Sequence, residues 1–165
     1  MDSQLAQSTA IRRALRDWLA GRQGLSIASF ASLPGEPMLL PLLADLPGHR
    51  WFFPRVSGGS MEFHLADAAT FSAGPFGILE PPAGAPTTHV REIDVFLCPG
   101  MGFTASGSRI GRGKGYYDRA LASSRPDAIR IGVCFNEQVL AEIPTDPHDQ
   151  PMHFLATPAG VVACR

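Results

Sequence analysis

From Gly107 to Arg119 the chain reads Gly-Ser-Arg-Ile-Gly-Arg-Gly-Lys-Gly-Tyr-Tyr-Asp-Arg, four glycines among four cationic side chains, with an aspartate beside the last cation. Glycine lets backbone N–H groups turn toward a ligand and lets the ligand approach closely. Arg109, Arg112 and Lys114 add charge and hydrogen-bond donors suited to phosphate oxygens. A carboxylate next to such groups, here Asp118, is what Mg²⁺ requires. The segment therefore points to a bound polyphosphate, most simply ATP.

The spacing excludes the commoner nucleotide loops. Lys114 is followed by Gly115-Tyr116, so the G-x-x-x-x-G-K-[ST] pattern fails, and the glycine spacing is not that of a dinucleotide fingerprint. A cationic glycine loop beside Tyr116 and Tyr117 also fits an RNA-binding turn on which bases stack. No G-x-S-x-G is present, and the five histidines, at 49, 64, 89, 148 and 153, form no H-E-x-x-H. Paired Cys or His motifs for zinc are absent. His148-Asp149, in a polar, proline-rich turn, is a further candidate.

Such a loop needs a scaffold. Residues 93–98 (I-D-V-F-L-C) read as a strand ended by Pro99-Gly100, and a helix is expected from about Tyr116 to Ser123. Residues 129–135 read as a further buried strand. Strand, loop, helix and strand in that order indicate a βαβ unit in a largely parallel sheet, whose ligands bind outside the carboxyl ends of the strands.

Upstream, Ile11, Leu15, Trp18 and Leu19 have helical spacing, with Ser8 or Thr9 as cap and Gly21 or Gly24 as stop. Arg12, Arg13 and Arg16 lie off that apolar stripe, either as a solvated face or as cations reaching a phosphate. Strands are expected at 26–32, 51–56, 61–65, 154–157 and 161–164, and helices at 37–46, with Pro37 in the first turn, and at 137–141. Residues 72–88, rich in Pro, Gly and Thr, read as a long connection without regular structure.

The 165 residues fit one domain over 1–165, and 45% hydrophobic and 18% charged residues fit a soluble globular chain. A formal net charge of −1 argues against general binding to nucleic acid, so the loop's positive charge is local. No stretch suits a bilayer span or a signal peptide. Cys98, Cys134 and Cys164 each lie in or beside an apolar run and read as inert core thiols, which points to a reducing cytoplasm.

The run Pro99-Gly100-x-Gly102-Phe103, continued by Gly107-x-Arg109-x-Gly111-x-Gly113-x-Gly115-Tyr116-Tyr117-Asp118-Arg119, closely resembles the signature of the 5-formyltetrahydrofolate cyclo-ligase family, also called methenyltetrahydrofolate synthetases. Weaker matches follow in the family's order: the basic helix at 12–16, Glu36, Phe53-Pro54-Arg55, Met61, Phe76-Gly77-Ile78-x-Glu80-Pro81, Phe135-x-Glu137-Gln138, Pro144 and His148-Asp149.

The resemblance implies a three-layer α/β/α sandwich with a mostly parallel sheet, of the kind shared with sugar-phosphate isomerases and CoA transferases. It implies cyclisation of 5-formyltetrahydrofolate to 5,10-methenyltetrahydrofolate, dependent on ATP and Mg²⁺, with ADP and phosphate released. By position, Lys114 and Arg112 would be catalytic, neutralising charge near the transferred phosphoryl. ATP would be held by Arg12, Arg13, Ala14, Leu15 and Arg16, and by Arg109, Ile110, Gly111, Arg112, Gly113, Lys114, Gly115, Tyr116 and Tyr117. The folate would lie against Glu36, Met61, Phe76 and Arg112, Gly113, Lys114, Gly115 and Tyr116. Asp118 and Asp149 would hold Mg²⁺.

Three departures from the family pattern stand out. Arg12 occupies a position that is commonly Lys, His153 one that is commonly acidic, and the stretch before Ser26 lacks a helix that relatives usually carry. The last of these supports an alternative, a non-catalytic folate- or nucleotide-binding paralogue, and leaves one sheet face thinly covered or covered by another subunit.

Overall fold

Val95, Phe96, Leu97 and Cys98 are all buried, so the strand they form must be covered on both faces. The computed structural model, which describes residues 3–67, 70–73 and 79–165, shows how. In chain order, α1 (Gln4–Leu19), β1 (Ser26–Ala28), α2 (Leu42–Asp45), β2 (Arg50–Ser57) and β3 (Ser60–Leu65) come first. Short strands β4 (Ser72–Ala73), β5 (Leu79–Glu80) and β6 (Thr87–Thr88) lead to β7 (Val95–Cys98). The hairpin β8 (Gly102–Phe103) and β9 (Arg109–Ile110), helix α3 (Tyr116–Ala122), and strands β10 (Ile129–Val133), β11 (Phe154–Thr157) and β12 (Gly160–Ala163) complete the chain.

The eight-stranded sheet has the order β12-β11-β10-β7-β1-β2-β3-β6. Strands β11, β10, β7, β1 and β2 are mutually parallel. Antiparallel β12 closes one edge, and antiparallel β3 and β6 close the other. The period of two along each strand sorts residues between two cores. Ile27, Val95, Leu97, Ile131 and Val133 pack with Ile11, Leu15 and Leu19 of α1. Ala28, Phe96, Cys98 and Cys134 pack on the opposite face with Leu121 of α3, Phe103 and Met152. The expected three-layer α/β/α sandwich with a mostly parallel sheet is thus observed.

Several local expectations are corrected. Helix α1 begins earlier than the apolar spacing implied, and Ser3 rather than Ser8 or Thr9 caps it, accepting from the Ala6 N–H at 3.0 Å. Ser8 is instead buried and accepts from the Met38 N–H. Residues 37–46 do not form one helix. Only α2 is helical, and Pro41 sits at its N-cap, where a missing N–H costs nothing. The 137–141 helix is a single 3-10 turn over Asn136–Gln138. The 72–88 connection is not wholly irregular, since β4 pairs with β5 and β6 joins the main sheet. After α1 the chain enters β1 directly, while α1 itself lies against β11 and β12.

The three cysteines are free. Burial pushes both Cys98 and Cys134 up to about 12, and also raises Cys164. A thiol that stays protonated at neutral pH is a poor nucleophile, in keeping with a packing role.

One contact fixes the site's scaffold to the sheet. The Phe103 ring on β8 lies over two glycines. A Cβ on Gly100 would come within 2.9 Å of Phe103 Cζ, and one on Gly132 of β10 would overlap the ring and meet Leu155 Cδ2 at 2.9 Å. We expect Gly132→Ala to destabilise the protein by about 1–3 kcal/mol through overpacking. Thermal denaturation checks this, because each kcal/mol moves the Tm of a chain of this size by roughly 2–4 °C. An unchanged Tm would show that the ring is free to move away.

Candidate active site

Because the five central strands are parallel, the connections that follow them emerge at one edge of the sheet. These are the 29–41 loop after β1, the Gly58-Gly59 turn after β2, the 99–115 segment after β7, the 134–138 turn after β10 and the Pro158-Ala159 turn after β11. The glycine loop therefore lies where ligands bind in such sheets. Its stem is the β8–β9 hairpin, in which Gly102 pairs with Ile110 and Phe103 with Arg109.

Not every glycine of the run faces a ligand. Gly107 has φ 101°, and a Cβ there would overlap the Met152 carbonyl oxygen, while its own carbonyl accepts from Met152 N–H at 2.7 Å. It docks the hairpin tip on the strand-β11 side and has no room for a phosphate. Gly113 and Gly115 also have positive φ, 91° and 71°, and a Cβ on Gly113 would meet nothing within 4 Å. The open part of the loop is 111–116.

Arg109 is scaffold in this geometry. Only 6% of its side chain is exposed. Its Nη1 donates to the Pro99 carbonyl at 2.9 Å, its Nη2 lies 3.7 Å from Asp118 Oδ1, and its Cζ sits 5.3 Å from the centre of the Tyr117 ring. The Tyr117 hydroxyl is buried, and burial pushes its pKa well up. Arg109, Ile110 and Tyr117 thus brace the loop from below, whereas Arg112, Gly113 and Lys114 are exposed.

Arg112 meets Glu36. Its Nη2 lies 3.5 Å from Glu36 Oε2, and the two side chains are 49% and 4% exposed, so the cation can swing toward a ligand while the carboxylate stays in place. Glu36 Oε1 accepts from the Leu33 N–H at 2.9 Å. Burial raises the Glu36 pKa, and the Leu33 N–H and Arg112 partly offset it.

Helix α1 distributes its predicted residues over three faces. Arg12 Nη1 donates to the Met38 carbonyl at 2.7 Å, two residues from Glu36, and Arg16 pairs with Asp45 at 2.9 Å. Leu15 turns into the core. Arg13 and Ala14 face Pro158, Ala159 and Gly160 across a small cavity of about 170 Å³. The structure therefore ties Arg12 to the loop that carries Glu36 and directs Arg13, Ala14 and Leu15 elsewhere. Met61 on β3 packs against the α3-side core and lines an open cavity of about 440 Å³ with Phe63 and Val90. Phe76 lies outside the described residues.

The segments that carry the two predicted metal carboxylates meet at Gln150. Its N–H donates to Asp118 Oδ1 at 3.3 Å, and it directly follows Asp149, whose Oδ2 accepts from the Asp146 N–H at 2.7 Å. The other oxygen of each carboxylate has no protein hydrogen bond among the described residues. No group of three or more His, Cys, Asp or Glu among those residues is arranged to hold a metal. Two carboxylates suit Mg²⁺, which takes its remaining ligands from phosphate and water. His153, in contrast, is committed to the sheet, where its Nδ1 accepts from the Arg130 N–H at 3.0 Å.

Two amides went unrecognised in the sequence. Gln138 Nε2 donates to the Gly100 carbonyl at 3.2 Å, next to a 3.5 Å approach to the Gly35 carbonyl, tying the Glu36 loop to the end of β7. Buried Gln7 of α1 accepts from the Asn136 N–H and donates to Glu137. Gln138 carried a motif match but no role, and Gln7 carried no signal at all.

A three-layer α/β/α sandwich on a mostly parallel sheet, with a glycine-rich loop at the carboxyl edge of its strands, is the architecture of the known cyclo-ligase structures. The chain belongs to the 5-formyltetrahydrofolate cyclo-ligase family, whose profile matches residues 1–158. It is 35% identical to a Mycolicibacterium smegmatis protein named 5-formyltetrahydrofolate cyclo-ligase, over 92% of this chain and 84% of that one. It is 28% identical to a probable 5-formyltetrahydrofolate cyclo-ligase of Schizosaccharomyces pombe, over 95% and 86%. The NMR structure of Aquifex aeolicus 5,10-methenyltetrahydrofolate synthetase matches with a TM-score of 0.85 at 28% identity, over 98% of this chain and 83% of that one.

Arg112→Ala removes a cation that holds Glu36 down, so the Glu36 carboxyl should titrate at a still higher pH in the variant. A folded carboxyl above its unfolded value near 4.5 binds its proton more tightly than the unfolded chain does. Stability therefore falls as pH rises from that value through the folded one, and falls further in the variant. Carboxyl NMR titration checks the shift, and an unmoved Glu36 signal would separate the two side chains.

Proposed function

We propose that this chain catalyses the ATP- and Mg²⁺-dependent cyclisation of 5-formyltetrahydrofolate to 5,10-methenyltetrahydrofolate, releasing ADP and phosphate. Family membership supports the reaction class. The observation that carries the reading for this chain is the open, cationic 111–116 loop with half-exposed Arg112 beside the buried carboxylate of Glu36.

The N5-formyl group is an amide, and its oxygen is a poor leaving group. In the reading we favour, that oxygen attacks the γ-phosphorus of ATP, and ADP departs. The formyl carbon then carries a phosphate on oxygen, as an imidate phosphate. N10 attacks this carbon and loses its proton, and the C–O bond breaks to release phosphate as the ring closes. The protein needs no covalent chemistry of its own, so positioning and charge neutralisation carry the rate.

Arg112 and Lys114 neutralise the transferred phosphoryl, with the 111–116 backbone along the phosphates and Arg12 and Arg16 completing the nucleotide side. Glu36 accepts N–H groups of the pterin, a task suited to a buried carboxylate with few protein partners, while Met61 and Tyr116 line the folate side. Asp118 and Asp149 would hold Mg²⁺, which when bound offsets charge on the phosphates. A cytoplasmic setting is consistent with the free thiols, and no helix among the described residues is long and apolar enough to cross a membrane.

The test is to mix the protein with ATP, Mg²⁺ and 5-formyltetrahydrofolate and follow absorbance of the methenyl product. Product should form, and Lys114→Ala should lower kcat by on the order of 10²- to 10³-fold, as loss of one preorganised electrostatic group does. No product at high enzyme concentration would defeat the reading. A variant as fast as the parent would remove Lys114 from the mechanism.

A further inference from the structure

The cationic run ends in Arg119, which has no task in the scheme above. It lies in α3, exposed, one turn beyond the loop. Its Nη1 donates to the Lys114 carbonyl at 2.9 Å, and its Nη2 donates to the Gly59 carbonyl at 3.3 Å. Its Cζ stands 5.2 Å from the centre of the Tyr116 ring. One guanidinium therefore touches three things: the loop backbone at Lys114, the turn between β2 and β3, and the face of Tyr116.

A planar fork of donors can serve two carbonyls and still lie over a ring, whereas an ammonium is a single point of charge. Space at the loop is shaped for this side chain. Gly115 has φ 71°, and a Cβ there would lie 3.0 Å from Arg119 Nη1. The Gly58-Gly59 turn leads directly into β3, the strand that carries Met61. The two segments joined by Arg119 are thus the loop assigned to phosphate and the hairpin assigned to folate.

We infer that Arg119 is a positioning residue that couples the 111–116 loop to the β2–β3 turn and so holds Lys114 and Met61 in one fixed relation. The physical coupling stands on the contacts alone, while its consequence for turnover rests on the proposed cyclo-ligase reaction. Because both segments share one anchor, ligand on the loop and ligand on the hairpin favour the same arrangement, and each tightens the other's binding reciprocally.

The experiment compares the parent, Arg119→Ala and Arg119→Lys by amide hydrogen exchange and by steady-state kinetics. In Arg119→Ala, exchange should speed up together at 111–116 and at 57–61, with β7 and β10 unchanged. Its kcat/KM should fall about tenfold, chiefly through KM for MgATP, as expected for loss of a charge-assisted hydrogen bond. Added guanidinium ion should restore part of that loss, and Arg119→Lys should recover less than half of it. Unchanged exchange at either segment, or a Lys variant as active as the parent, would overturn the coupling. So would kinetic constants unchanged in Arg119→Ala. If the parent forms no methenyl product yet the two segments loosen together in the variant, the reaction falls and the coupling stands.

Discussion

The site depends on one steric fit, the Phe103 ring over Gly100 and Gly132. An aromatic ring this close to a strand backbone needs glycine beneath it, and both positions supply it. The fit seats the β8–β9 hairpin on the α3 face of the sheet instead of letting it wave in solvent. Gly107 then docks the hairpin tip against Met152, and Arg109 ties its return strand to Pro99 and Asp118. With both ends held, the 111–116 stretch is a short open arc between a fixed strand and a fixed helix. A cationic loop on a rigid base costs less ordering when phosphate binds than a free one would.

The electrostatics divide into fixed and movable groups. Glu36 is buried and held by a backbone N–H, so its charge stays in place at a cost in desolvation. Arg112 faces it from a half-exposed position at 3.5 Å, a separation that leaves the contact loose. Arg16 with Asp45 is a surface pair, each more than a third exposed, worth about 0–1 kcal/mol at most. Cations of this kind are stored against weak partners and are available to a stronger one. In the proposed reaction the transferring phosphoryl group would be such a partner.

Much of this was legible in the sequence because strands covered on both faces leave unbroken apolar runs. Residues 95–98 and 131–135 announced themselves in that way, and the family pattern across 99–119 located the loop. What was not legible turned on which neighbour each residue meets. Gly107 and Gly113 look alike in sequence, yet one is glycine because Met152 lies against it and the other faces open space. The helical period placed Leu15 on the apolar stripe and Arg12 off it, but did not show that Arg12 would meet the Met38 carbonyl. Pro41 falls inside the helix expected over 37–46 and is in fact the start of a short one. Gln7 and Gln138 act through tertiary hydrogen bonds, for which spacing carries no signal.

The central claim is that this architecture serves transfer of a phosphoryl group to the formyl oxygen. The most direct measurement uses 5-formyltetrahydrofolate carrying ¹⁸O in the formyl group, turned over with ATP and Mg²⁺, with mass spectrometry of the released phosphate. The account predicts that the label leaves in phosphate. Label found in water, with none in phosphate, would contradict it.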